Sequence, residues 1–158
     1  MRFLYLDASA WVKRYYREHG SEQVSRLFSN GDARVCSVLG LVEVVATLAR
    51  KCKANEISRQ SFDAKAAEID RDWKHFVKIE LTLNDLNQAR DAAVQFALRG
   101  ADAVHFAAFR SFQQRLANSG HDVILVASDQ ELCEAATVAG YAVLVPENSP
   151  VLDESLPT

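Results

Sequence analysis

The sequence predicts an α/β fold with a mostly parallel sheet, and three observations lead to this prediction. Apolar runs as short as buried strands occur at residues 3–6 and 122–127. Between them, segments whose apolar residues recur at helical spacing alternate with further short runs. The chain has 158 residues, of which 49% are hydrophobic, and this is enough for one domain with a sizeable core.

The first predicted strand, residues 3–6, ends abruptly in Asp7. A helix is predicted next at residues 11–17, after a cap at Ser9. A buried strand that ends in a carboxylate delivers the charge to the carboxyl edge of the sheet, where open α/β folds bind ligands. Asp7 therefore has two interpretations, a functional carboxylate or a helix cap, and this stretch alone does not decide between them.

The later elements are predicted from the same periodicities. Strands are predicted at residues 34–37, 76–81, 122–127 and 141–145. Helices are predicted at residues 21–30, 39–52, 62–73, 86–97, 101–118 and 130–139. Ser128 and Glu131 are spaced as a capping box for the last helix, an arrangement that leaves Asp129 free. We expect one domain over residues 1–146 and an irregular tail over residues 147–158.

The overall charge and the cysteines narrow the class of protein. The formal net charge is −3 and the isoelectric point is near 5.8, so any nucleic-acid binding must come from local patches. Cys36, Cys52 and Cys133 form no CxxC pair, which favours reduced, structural thiols over a zinc site. The first residues are too polar for a signal peptide, and no run approaches the roughly 20 apolar residues of a membrane span. We therefore expect a soluble, cytoplasmic protein with no membrane partner.

Four acidic residues stand in apolar surroundings: Asp7, Glu43, Asp102 and Asp129. Each has a structural explanation of its own, because Glu43 suits a partly exposed helix edge and an aspartate suits a helix cap. As a set they are harder to explain, since none has an obvious cation partner in the sequence. Asp7 and Asp129 follow strands and so reach the same edge of a parallel sheet, while the other two come from helices with apolar flanks.

A site that gathers carboxylates must either hold protons or bind a cation. Two carboxylates about 4 Å apart repel each other by about 4 kcal/mol at an effective dielectric constant of about 20. Oxygen ligands without a set of histidines or cysteines favour Mg²⁺ or Mn²⁺. The commonest reaction at an all-carboxylate metal site is hydrolysis of a phosphodiester bond.

Two further groups of residues also have two interpretations each. Lys13, Arg14 and Arg17 are interleaved with tyrosines, as in a helix that contacts nucleic-acid phosphates, but an ordinary solvated face has the same pattern. His105 lies one turn after Asp102 on the same side of the predicted helix. There it either supports the acids or is a hydrogen-bonded residue of the core.

Four short motifs occur in order between residue 3 and about residue 146: Tyr-Leu-Asp7-Ala-Ser9-Ala, Leu-Val-Glu43, Gly-Ala-Asp102-Ala-Val-His105 and Ala-Ser-Asp129. With these motifs the chain resembles the PIN-domain nucleases, and most closely the VapC-type toxins of toxin–antitoxin pairs. The resemblance implies a three-layer fold in which a five-stranded, mostly parallel sheet with its first strand central is flanked by helices.

The resemblance also implies a function and a site. It implies a metal-dependent endoribonuclease that acts on RNA, a protein antitoxin as partner, and a homodimer. The Mg²⁺ or Mn²⁺ site implied by it consists of Asp7, Glu43, Asp102 and Asp129. Ser9 matches a position that commonly helps to bind the metal or its waters.

One departure and two alternatives accompany this interpretation. Family members often carry Thr two residues before the last Asp, where this chain has Ala127. A haloacid-dehalogenase-like phosphatase also places an Asp after its first strand, but it requires Asp-x-Asp, and the third position here is Ser9. A non-catalytic PIN-like module that binds nucleic acid or protein has no need of four intact acids.

Overall fold

The computed structural model describes residues 1–148, which form a five-stranded sheet whose neighbouring strands are all parallel. The strands are β1 (Arg2–Leu6), β2 (Ala33–Ser37), β3 (Val77–Ile79), β4 (Asp122–Val126) and β5 (Val143–Leu144). Their order across the sheet is β3–β2–β1–β4–β5. The prediction of a parallel sheet with the first strand at its centre is confirmed.

Seven α-helices connect the strands of the described region. They are α1 (Ala8–Trp11), α2 (Ser21–Ser29), α3 (Val38–Lys53), α4 (Arg59–Trp73), α5 (Leu83–Phe96), α6 (Gly100–Leu116) and α7 (Gln130–Val138). Two 3-10 helices, Val12–Arg14 and Pro146–Asn148, complete the described elements. Within residues 1–148 there is no helix of the length and apolarity that crossing a membrane requires.

The helices cover both faces of the sheet, so the fold has three layers, as predicted. Alternate side chains of a strand point to opposite faces, and in β1 Tyr5 joins the core beneath α5, α6 and α7. Leu4 and Leu6 join the opposite core, beneath α1, α3 and α4. Trp11 is fully buried in that second core, where its ring centroid lies 5.5 Å from that of Trp73. This packing holds the very short α1 in place directly after β1.

The helix predicted at residues 11–17 has the wrong bounds, because Asp7 and not Ser9 is its cap. Asp7 Oδ2 accepts a hydrogen bond from the Ser9 backbone N–H at 2.9 Å, so α1 begins at Ala8. The chain then tightens into the 3-10 helix Val12–Arg14. The two interpretations of Asp7 are therefore compatible, since this residue caps a helix and also ends the central strand.

The capping box predicted for α7 is also wrong. The cap is Asp129, whose Oδ1 accepts a hydrogen bond from the Leu132 backbone N–H at 2.9 Å. Ser128 Oγ instead donates to Glu147 Oε2 at 3.0 Å. Both aspartates at the carboxyl edge of the sheet are thus fixed by the helices that follow them.

The predicted domain end needs one adjustment. Residues 147 and 148 belong to the 3-10 helix Pro146–Asn148 and not to the irregular tail predicted for residues 147–158. The rest of that tail lies outside the described residues.

Candidate active site

A cleft of about 610 Å³ opens at the carboxyl edge of the sheet. All four acids singled out from the sequence line it: Asp7, Glu43, Asp102 and Asp129. They come from the end of β1, from α3, from the first turn of α6 and from the start of α7. Parallel pairing brings two of them together, because Leu6 of β1 pairs with Val126 of β4 and both strands end at this edge.

The Ser9 hydroxyl joins the ends of these two strands. Its Oγ donates to Asp7 Oδ2 at 2.5 Å and accepts hydrogen bonds from the backbone N–H groups of Ser128 at 2.9 Å and Asp129 at 3.2 Å. Ser9 therefore fixes the position of Asp7 relative to Asp129.

Three of the acids lie at helix N-termini, where unpaired backbone N–H groups favour negative charge. Asp7 caps α1, Asp129 caps α7, and Asp102 lies in the first turn of α6. In each cap one carboxylate oxygen is committed to the helix, Oδ2 in Asp7 and Oδ1 in Asp129. The second oxygen of each carboxylate has a different neighbour, His105 for Asp7 and Arg99 for Asp129.

Three carboxylates approach closely enough to share one cation. Asp102, Asp129 and Glu131 each offer an oxygen within 4.8 Å of the oxygens of the other two. Burial, followed by the charge of Asp129, raises the pKa of Asp102, although Arg99 opposes this rise. Carboxylate oxygens alone, with no thiol or imidazole among them, form a donor set that fits a hard divalent cation.

The expectation that the acids lack cation partners is wrong, because one arginine contacts two of them. Arg99 Nη2 lies 2.6 Å from Asp129 Oδ2, and Arg99 Nε lies 3.1 Å from Asp102 Oδ2. Arg99 stands immediately before α6, so its side chain extends forward to Asp102 in the first turn of the helix.

His105 connects the other two acids with the core. Its side chain is fully buried, and its Nε2 lies 2.5 Å from Glu43 Oε2 and 3.6 Å from Asp7 Oδ1. Its Nδ1 lies 3.0 Å from the hydroxyl of Tyr5. Burial lowers the pKa of His105, but the charges of Asp7 and Glu43 more than offset this, so the pKa is raised. His105 is thus a hydrogen-bonded core residue that also orients two acids of the cleft.

A glycine allows α3 to bring Glu43 this close to His105. A Cβ added to Gly40 would meet Cys36 Sγ at 2.3 Å and His105 Cε1 at 3.3 Å. Gly40 stands one turn before Glu43 on the same helix. Its missing side chain lets α3 pack against both β2 and α6.

The three cations expected to contact phosphates have different surroundings. The Lys13 side chain is only 8% exposed and lies 3.0 Å from Glu18 and 2.9 Å from Glu147. Arg14 is 3.6 Å from Glu68 and 3.7 Å from Asp72. The Arg17 side chain is 90% exposed, with one contact at 3.9 Å to Glu22. Lys13 lines the cleft but is paired with acids, whereas Arg17 is open to solvent.

Sequence reasoning missed Arg99, Glu131 and Arg50. Arg99 stands three residues before Asp102, a spacing that places the two side chains together near a helix start. Glu131 was assigned to the capping box that the structure does not contain. Arg50 follows Glu43 by two helical turns and lines the same cleft, where its Nη2 donates to Thr47 Oγ1 at 3.0 Å.

Comparison with known proteins identifies the family of this chain. A family model described as the PIN domain matches residues 4–137. Ribonuclease VapC49 of Mycobacterium tuberculosis is 34% identical over 147 residues, which cover 90% of this chain and 95% of that protein.

Two solved structures share the fold. The crystal structure of Mycobacterium tuberculosis VapC20, a sarcin–ricin loop cleaving toxin, superimposes with a TM-score of 0.62 at 20% identity over 93% of this chain and 99% of that one. A toxin–antitoxin complex from Klebsiella pneumoniae gives a TM-score of 0.60 at 13% identity, over 90% of this chain and 97% of that one. Neither of the two alternatives to a PIN-type nuclease gains support from these comparisons.

Proposed function

The chain belongs to the PIN-domain family, and from this we propose that it is a metal-dependent endoribonuclease and the toxin of a toxin–antitoxin pair. The observation that carries the proposal is the convergence of Asp102, Asp129 and Glu131, whose carboxylate oxygens lie within 4.8 Å of one another, beside a cleft that Asp7, Glu43, Asp102 and Asp129 line. The ribonuclease name of a relative that matches 90% of the chain supports the same reaction.

We assign the cofactor as Mg²⁺ or Mn²⁺, held by Asp102, Asp129 and Glu131 with Asp7 completing the site. When bound, such an ion supplies a Lewis acid that lowers the pKa of a water and stabilises the charge that develops on the phosphate. The protein supplies the fixed geometry. Ser9 holds Asp7 against the start of α7, and His105 holds Glu43 at the cleft wall, where this carboxylate can accept a proton from the attacking water.

The candidate substrate-binding residues are cations that are exposed to solvent or that line the cleft. We retain Lys13, Arg14 and Arg17 as candidates. Arg17 is the most exposed of them, and it lines a neighbouring pocket that shares Glu18 and Glu147 with the cleft. We add Arg50, because it lines the cleft and contacts no carboxylate among the described residues. Both arginines can donate two parallel hydrogen bonds to a phosphate.

We propose a protein antitoxin and a second copy of this chain as partners, and a cytoplasmic location. Val42 is 63% exposed at the cleft and offers an apolar contact for an antitoxin that covers the site. Leu83 and Val94 on α5 are 81% and 82% exposed and offer a separate apolar surface for the second copy. All three cysteines are free thiols, as in a reducing compartment.

The test is RNA cleavage with Mg²⁺ or Mn²⁺ and with EDTA. We expect Asp102→Asn and Glu131→Gln to lose at least about 100-fold in rate while remaining folded, because each removes a charge that faces the metal. Glu134→Gln is the matched control, since Glu134 is an exposed acid on α7 one turn from Glu131 and is not one of the three carboxylates that can share a cation. Cleavage that persists in EDTA, or that survives both substitutions, would contradict the assignment.

A further inference from the structure

One cation of the cleft occupies the space between the acids that we assign to the metal. The Arg99 guanidinium contacts Asp129 Oδ2 through Nη2 at 2.6 Å and Asp102 Oδ2 through Nε at 3.1 Å. It thereby bridges two of the three carboxylates whose oxygens lie within 4.8 Å of one another. A single guanidinium in this position relieves the repulsion that the acids would otherwise impose on the folded chain.

The exposure of these side chains shows that the bridge can open without disturbing the core. The Arg99 side chain is 72% exposed, whereas those of Asp102 and Asp129 are 14% and 18% exposed. The arginine therefore lies on the solvent side of the acids. Because its long side chain has many rotamers, it can leave the acids while the backbone of α6 stays in place.

A divalent cation and the guanidinium compete for the same oxygens. The cation needs lone pairs of Asp102 and Asp129 that the arginine now occupies, and its double positive charge repels the guanidinium at short range. We propose that Arg99 is a built-in counter-ion of the metal-free site, which the divalent cation displaces, so that Arg99 sets the affinity of this protein for its metal. This inference rests on the metal site of the proposed function.

The proposal makes opposite predictions for the two states of the site. In the metal-free protein Arg99 stabilises the fold, because it screens the acids. In the metal-loaded protein Arg99 no longer contacts the acids, so removing its charge changes the stability of the fold little. The free energy of displacing Arg99 is subtracted from the free energy of metal binding, since both belong to one linked equilibrium.

The experiment compares Arg99→Gln with wild type by calorimetric titration of Mn²⁺ and by thermal melts. We expect Arg99→Gln to bind Mn²⁺ about five- to tenfold more tightly, as loss of two ion pairs made by one largely exposed arginine implies. We also expect a lower melting temperature than wild type in EDTA and an equal one in saturating Mn²⁺.

The matched control is Arg59→Gln, which makes the same change of charge. Arg59 is 79% exposed and pairs with Asp63 at 2.9 Å, outside the cleft lining. It should leave Mn²⁺ affinity unchanged, so that a general effect of net charge is separated from displacement of one residue.

Two results would overturn the inference while leaving the proposed function intact. If wild type binds Mn²⁺ and Arg99→Gln binds it equally well or more weakly, Arg99 does not compete with the metal. If Arg59→Gln tightens binding as much as Arg99→Gln, the effect is one of net charge. A wild-type protein that binds no Mn²⁺ would instead overturn the metal site itself.

Discussion

Each aspartate at the carboxyl edge uses one oxygen to fix the fold and leaves the other for the cleft. Asp7 caps α1 through Oδ2, and Asp129 caps α7 through Oδ1. The two remaining oxygens lie near His105 and Arg99. A helix cap and a metal ligand are therefore not alternatives for such a residue, because a carboxylate can accept several hydrogen bonds at once.

The Ser9 hydroxyl gives a first prediction at this scale. Ser9→Ala removes the acceptor of two backbone N–H groups, those of Ser128 and Asp129. We expect the free energy of unfolding to fall by about 1–3 kcal/mol, because part-buried donors lose their partner. Urea denaturation measures this change. Ser29→Ala is the control, since Ser29 is an exposed helical serine that bonds only to the Ser25 carbonyl; an equal loss in both variants would contradict the role of Ser9.

The acids of the site could be predicted from the sequence, whereas their partners could not. An acid in apolar surroundings stands out in any single chain, and all four such residues line the cleft. Which cation pairs with these acids depends on the direction in which its side chain leaves the backbone at a helix terminus. Arg99 contacts Asp102, three residues later, and also Asp129, 30 positions later in the chain. The second contact could not be predicted from a local sequence pattern.

At the scale of elements, the position of α3 decides whether Glu43 takes part in the site. Gly40 lies against Cys36 of β2 and His105 of α6, so that α3 approaches both closely. This contact places Glu43 Oε2 within 2.5 Å of the imidazole. The position of the Glu43 carboxylate in the cleft therefore depends on how closely α3 packs against β2 and α6.

Gly40→Ala tests this packing. A Cβ at 2.3 Å from Cys36 Sγ forces α3 or β2 to move, and we expect a loss of about 1–3 kcal/mol in the free energy of unfolding, as overpacking generally causes. Adding Cys36→Ala removes the obstructing sulfur and should recover part of this loss, which a double-mutant cycle measures.

Gly100→Ala is the control for helix propensity, because nothing lies within 4 Å of a Cβ at that position. We expect it to be neutral or stabilising. Additive effects of Gly40→Ala and Cys36→Ala would show that the close contact is not the cause.

The existence and type of the elements could be predicted, but some of their bounds could not. Strand and helix periodicities predict all five strands and six of the seven helices of the described region, whereas the helix predicted at residues 11–17 shares only Trp11 with α1. That start depends on which of Asp7 and Ser9 adopts the extended backbone of a cap. Both residue types are good caps, so the local sequence does not decide between them, and the structure has Asp7 as the cap.

At the scale of the whole molecule, a net charge of −3 means that the RNA binding we propose depends on local groups of cations. Lys13 and Arg14 neutralise acids of their own surroundings. Arg17 and Arg50 are the cations that we propose for RNA phosphates. The sequence could locate the basic segment, but it could not show which of its charges were already paired, because all the pairing acids except Glu18 come from α4 and from the last 3-10 helix.

The salt dependence of RNA affinity tests this division. In an Asp102→Asn background, which keeps the RNA intact, neutralising Arg17 and Arg50 to Gln should flatten the slope of log affinity against log salt by about 1.4. The reason is that each phosphate contact to single-stranded RNA contributes about 0.7 to the slope. Fluorescence anisotropy with a labelled oligoribonucleotide measures it.

The control neutralises Arg59 and Arg90, two exposed arginines that line neither the cleft nor the neighbouring pocket that contains Arg17. It should leave the slope unchanged. Equal flattening by both pairs would mean that RNA contacts the protein without preference for the cleft.

The pairing of β1 with β4 has a consequence for the time at which the protein becomes active in the cell. Ser9 and Asp129 touch across 120 positions of sequence, and β4 is the neighbour that completes the carboxyl edge. A ribosome adds roughly 5–20 residues per second, so on the order of ten seconds separate the synthesis of Asp7 from that of Asp129. During that interval the nascent chain contains Asp7 but not yet Asp129. Because the site that we propose includes Asp129, we expect the chain to cut no RNA on the ribosome that is making it until α7 has emerged.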